Sequence, residues 1–160
     1  MIKQKEMLET MRETFEVDAI QHYKFTKVFA RPAEEGEIIE TITSDGKETQ
    51  NTAFAHDMVV QNTTEAREEY IMPKEKFMKR YKKVGGTNSE GYDLYQATGE
   101  CLAVEIDTEL AFALGCPMEF EAPWGEGMIL KKGDMLASDL DYTEVYRIAR
   151  KEFYETYKPV

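Results

Sequence analysis

His56-Asp57-Met58-Val59-Val60 and Gly133-Asp134-Met135-Leu136-Ala137 follow one plan: a turn aspartate, then an apolar run of strand length. Tyr70, Phe77, Tyr81-Lys82 and Val84 follow the first stretch, and Tyr146, Phe153, Tyr157-Lys158 and Val160 follow the second in the same order. The offset is 77 residues at the Asp-Met pair and 76 from the tyrosine onward, so the loop between them differs by one residue. Two diverging copies of one small unit behave this way, because turn and core positions persist while loops drift.

Working outward, residues 3–20 read as an amphipathic helix with Met7, Leu8, Met11, Phe15 and Ile20 on its apolar stripe. An extended aromatic segment follows at 24–30. Residues 38–43 and 48–55 read as a hairpin around Ser44-Asp45-Gly46-Lys47, since Asp-Gly accepts the positive φ of a tight turn. Strands are expected at 58–60 and 69–72, then a short helix at 74–82 entered through Pro73. The Gly- and Ser-containing stretch 85–91 reads as a linker. Beyond it the order returns: an extended segment at 93–97, a hairpin at 118–122 and 128–132, a strand after Asp134, and a closing helix. An insertion at 100–115 has no evident counterpart. In it Asp107 or Thr108 caps a helix through Leu114, and Gly115 stops it.

The expected class is α+β: two tandem copies of a β-hairpin/strand unit with a short C-terminal helix, packed pseudo-symmetrically, plus an N-terminal helix. The expected division is 1–84, linker 85–91 and 92–160. One arrangement gives each β unit its own covering helix, the N-terminal helix on the first and the insertion helix on the second.

With 42% hydrophobic residues, the 160-residue chain can bury a core. Its 31 acidic against 20 basic residues give a net charge of −11, which argues against direct nucleic-acid binding. Two cysteines (Cys101, Cys116) and two histidines (His22, His56) make no zinc motif, so no metal or cofactor is expected. No apolar run approaches membrane-span length, and the N-terminal residues are charged throughout; the expectation is a cytoplasmic protein without membrane contact.

Gly133-Asp134, the strand after it, Tyr146, and the closing run Phe153-Tyr154-Glu155-Thr156-Tyr157-Lys158 resemble the C-terminal end of small uncharacterised bacteriophage proteins of the PGDYG type. Asp93-Leu94-Tyr95-Gln96-Ala97-Thr98 is similar to their opening strand, and residues 24–84 give a weaker second copy. Met135 stands where those proteins have an aromatic, Ala149 replaces their proline, and His56 replaces the glycine in the first copy. The resemblance implies a phage or prophage origin in a bacterial cytoplasm and a fold, with no catalytic residues to carry over.

The candidate binding residues are Trp124, Asp134, Asp57, His56 and Arg147. Asp57 and Asp134 recur in both copies, although an aspartate opening a strand is ordinary turn chemistry. Trp124, at a hairpin tip in Pro-Trp-Gly-Glu-Gly, is either a binding anchor or a core plug. The paired tyrosines and phenylalanines read as helix-on-sheet core. The acidic runs around Glu34 and Asp139 read as solvated loops. Nothing in the sequence places His22 beside a cysteine as a nucleophile–base pair.

The reading is a non-catalytic phage accessory protein that captures a small molecule or a host protein, its site where the halves or two chains meet, with homo-oligomerisation open. An acidic decoy of a nucleic-acid-binding host enzyme is the alternative, and an enzyme with an unrecognised site the second.

Overall fold

A computed structural model describes residues 1–42, 48–63 and 67–160. The chain begins with α1 (Gln4–Asp18), β1 (Ile20–Lys24), β2 (Lys27–Pro32), β3 (Ile38–Ile42), β4 (Glu48–Thr52), β5 (Asp57–Asn62) and β6 (Glu69–Pro73). It continues with α2 (Lys74–Arg80), β7 (Tyr81–Thr87), β8 (Asp93–Ala97), β9 (Glu100–Glu105), α3 (Thr108–Leu114), β10 (Met118–Glu121) and β11 (Gly127–Leu130). It closes with β12 (Met135–Ser138), β13 (Val145–Ile148), α4 (Arg150–Thr156) and β14 (Tyr157–Pro159). This is an α+β chain with antiparallel pairing in its sheets. The turn expected at Ser44–Lys47 lies outside the described residues.

Two compact units form. One is continuous (25–99); the other joins residues 1–24 to 100–160. The continuous unit has the sheet order β6-β5-β2-β8-β7, and the discontinuous unit has β13-β12-β9-β1-β14. Position for position the two sheets match in four strands, while the strand in fourth place differs in how it is reached: β8 comes last in its unit's chain order and β1 comes first. Each also owns a separate two-stranded hairpin, β3-β4 or β10-β11, placed between the same two sheet strands in chain order.

The sequence places the division at 85–91, and the structure draws it differently. Tyr81–Thr87 is a strand, β7, paired with β8. The cuts fall at 24/25 and 99/100 because β1 belongs to the sheet of the C-terminal unit. The reason is local. Phe25-Thr26 between β1 and β2 would have to form a two-residue hairpin loop to keep both in one sheet, and such loops need residues that accept positive φ. Neither residue has a positive φ, so β1 pairs with β9 and β14 while β2 pairs with β5 and β8.

Each sheet buries one face under the short helix that follows its edge strand. In the continuous unit Val28, Ala30, Met58, Val60, Phe77 and Tyr95 make that core; in the other, Cys101, Ala103, Met135, Ala137, Phe153 and Tyr157 do. The aromatic geometry is the same in both. Phe77 stacks on Tyr81 at 4.7 Å and meets Tyr95 edge-on at 4.8 Å; Phe153 stacks on Tyr157 at 5.1 Å and meets His22 edge-on at 4.9 Å.

The opposite faces differ. In the discontinuous unit Met7, Met11 and Phe15 of α1 and Ala111 of α3 bury against Val104, Leu136, Phe120 and Leu130. Both helices therefore cover one unit, which corrects the expectation of one helix each. Of the expected insertion only α3 lacks a counterpart, since β9 corresponds to β2. Ile20, read as part of the α1 stripe, instead opens β1 and is exposed, because α1 stops at Asp18.

Candidate binding cavity

In the discontinuous unit a cavity of about 420 Å³ is lined by residues of β1, β9 and β12 together with Asp18 of α1, Leu110 of α3 and Tyr154 of α4. Its floor is made by His22, Ala103, Val104 and Met135, all buried. Asp18, Ile20, Glu105, Asp107 and Tyr154, all exposed, form its mouth. The sheet places the floor residues: Ile20 faces Ala103 and His22 faces Cys101 across the β1–β9 ladder.

His22 is 5% exposed. Its Nδ1 lies 2.7 Å from the Ile20 carbonyl oxygen. A carbonyl only accepts, so Nδ1 carries the hydrogen and Nε2 of the neutral ring is an acceptor. Nε2 has no partner, yet no buried side-chain polar atom among the described residues is left unsatisfied. Nε2 is therefore reached by solvent, and His22 is one of the residues lining the cavity.

The other unit shows why this place is open. Tyr95 is the third residue of β8 and faces the second residue of β2, Val28; His22 is the third of β1 and faces the second of β9, Cys101. Where Tyr95 fills its site, the smaller imidazole leaves space. At the position of Ile20 the continuous unit carries Asp93, whose carboxylate lies 3.3 Å from the Lys83 ammonium.

His22 and Cys101 are cross-strand neighbours, a proximity that sequence spacing does not reveal. They do not make a nucleophile–base pair: no hydrogen bond joins them, and burial pushes the Cys101 thiol up to about 11, so it stays protonated at neutral pH. No three His, Cys, Asp or Glu side chains among the described residues could hold a metal ion.

Of the residues the sequence singles out, the structure gathers three. Asp134, 3% exposed, accepts from Arg147 Nε at 2.9 Å and Nη2 at 3.2 Å, and from the Lys131 backbone N–H at 2.9 Å. Arg147 and Lys131 line a groove of about 380 Å³ beside Trp124, which is exposed. Burial alone would raise the Asp134 carboxyl; the bonds from Arg147 and Lys131 outweigh it and hold the group below its usual value. Since the buried carboxylate neutralises Arg147 and Glu126 also lines the groove, little positive charge is left for a ligand.

No protein-family model, curated protein or solved structure matches the chain.

His56 and Asp57 belong to the continuous unit, and Trp124, Asp134 and Arg147 to the discontinuous one. Asp57 accepts from the Phe54 N–H at 2.8 Å, as Asp134 does from Lys131, so both aspartates close the turn before a strand. His56 is exposed at φ +70°, where the other turn has Gly133 at +92°. The acidic runs are also more than solvated loops. Glu37 pairs with both terminal nitrogens of Arg31, and Asp139 accepts from the N–H groups of Thr143 and Glu144.

His22 is the residue that sequence reading passes over. Its signal is the alternation Ile20, His22, Lys24 just after the α1 stripe ends, which an extended helix reading absorbs.

Proposed function

We propose that the protein is a non-catalytic binding protein, a phage or prophage accessory protein that holds a small organic molecule in the cavity over β1, β9 and β12. The observation that carries this reading is the open Nε2 of the buried His22 on the floor of that cavity. Pockets that combine an apolar lining with a few convergent polar groups suit a small ligand, and a solvent-reached ring nitrogen there can accept a hydrogen bond from it. The protonated state of the neighbouring thiol supports binding over covalent chemistry.

The strand order shared by four strands of each sheet and the repeated aromatic cluster support descent of both units from one duplicated ancestor. On that reading the first copy kept a tyrosine at the position where His22 opens the cavity. The phage origin rests on the closing-segment resemblance.

Native mass spectrometry of protein purified from a bacterial host without denaturation tests the function. A bound small molecule is expected on the wild-type chain and absent from Ile20→Trp, which fills the exposed mouth without entering the core. Identical spectra for the two, with or without an adduct, would remove the cavity as the site.

A further inference from the structure

Resting on the cavity reading above, we infer that the ligand is a small protonated amine with a compact apolar body, whose inner end carries an O–H or N–H donor for His22 Nε2. The polar lining is one-sided. His22 Nε2 accepts, and Asp18, Glu105 and Asp107 accept; among the lining residues only the Tyr154 hydroxyl can also donate. No lysine or arginine lines the cavity.

The charges at the mouth are unequal in what they have left to give. Glu105 is paired with Arg150 outside the cavity. Asp107 spends Oδ1 on the Leu110 N–H that starts α3, at 2.9 Å, and keeps Oδ2. Asp18 has no ion pair among the described residues. It also ends α1, where the unpaired carbonyls already place partial negative charge. That last turn contains no basic residue, so Asp18 sits against the helix dipole. A cation at the mouth relieves this like-charge arrangement.

The floor sets the rest of the ligand. Ala103, Val104 and Met135 offer only apolar contact, which suits a hydrocarbon or aromatic body between the ammonium and the donor. A bare metal ion fits neither the apolar floor nor the absence of a ligating cluster among the described residues.

Four compounds of one shape separate the contributions: tyramine, phenethylamine (no hydroxyl), tyrosol (no charge) and 4-hydroxyphenylacetate (opposite charge), each titrated calorimetrically into the full chain at low salt. Tyramine is expected to bind best. Phenethylamine and tyrosol should each be weaker by about ten-fold, the size of one hydrogen bond or one partly screened charge, and the acid should not bind. Asp18→Asn should weaken tyramine by about five-fold and leave tyrosol unchanged. His22→Phe keeps a ring against Phe153 and should make tyramine and phenethylamine equal; circular dichroism establishes that each variant is folded.

Tyrosol or the acid binding as tightly as tyramine, with Ile20→Trp blocking it, would overturn the amine inference and leave the cavity as a binding site. No binding by any of the four also overturns it, while the co-purified ligand test decides the broader reading separately.

Discussion

At single residues, the two turns before β5 and β12 form a controlled comparison. Both need a positive φ, and only the second uses glycine. A non-glycine residue there costs about 1–2 kcal/mol, partly offset by glycine's greater chain entropy when unfolded. His56→Gly is therefore expected to stabilise the chain by about 0.5–1 kcal/mol in urea denaturation, and Gly133→Ala to destabilise it by a similar amount. No atom lies near a Cβ at Gly133, so the second cost is conformational alone. The aspartates beside them differ in burial. Asp57→Ala loses one turn bond, about 1 kcal/mol. Asp134→Ala also strands Arg147 and should cost about 2–4 kcal/mol, below the range for a fully buried pair because the Arg147 side chain is 26% exposed. Glu37 supplies a pH signature: its pairing with Arg31 lowers its carboxyl from 4.5 to about 2. A depressed folded-state value means stability that is full above about pH 4.5 and lost as pH falls toward 2. Glu37→Gln should flatten the stability profile across that window and change nothing of its shape above pH 6. The turn chemistry was legible in the sequence because it is local. His22 was not, because its role depends on which strand faces β1 and on a tyrosine seventy-three positions away holding the equivalent place.

Single elements were mostly readable, and their partners were not. The α3 caps were visible as Asp107 and Gly115, and the structure has the Asp107 bond to the Leu110 N–H and Gly115 at φ +69°. The α1 stripe was visible as Met7, Met11 and Phe15, yet nothing local says which sheet it covers. Residues 81–87 read as helix end and linker because Gly85-Gly86 dilutes their pattern; the strand exists through its ladder with β8, and Gly85 lies where a Cβ would come 3.1 Å from that of Leu94. The helices α2 and α4 allow a sharper test. Each buries one phenylalanine completely, stacked on the tyrosine four residues later. Phe77→Ala and Phe153→Ala should each cost about 3–5 kcal/mol. Hydrogen exchange should show the loss of protection confined to β2, β5 and β8 for the first, and to β1, β9 and β12 for the second, since each ring packs in its own unit's core. Protection lost throughout the chain in both variants would mean that the units unfold together.

For the whole molecule, chain order and sheet membership disagree, and that disagreement predicts how the protein can be divided. A cut within 85–91, the place composition suggests, gives a first piece with β1 but no β8, and a second with β8 but no β1. Each piece then lacks the strand that lies between two others in its five-stranded sheet, leaving β7 or β14 without its only partner. Unpaired edges of this kind favour aggregation. Residues 25–99, in contrast, contain every strand of their sheet, the β3–β4 hairpin and α2, with both termini beside short connections. Expressed alone, 25–99 is expected to give a dispersed amide spectrum and a cooperative unfolding transition, whereas 1–84 and 92–160 should be insoluble or poorly dispersed. The margin is narrow, because a 75-residue unit buries a modest core. A permuted chain gives the complementary result: residues 100–160 joined by a flexible linker to 1–24 restore β1 between β9 and β14 and complete the other unit. That chain carries His22 and all the residues of its cavity, so it should retain the ligand that native mass spectrometry detects on the whole protein. Folding of the permuted chain without ligand retention would show that the cavity needs more than the unit that lines it.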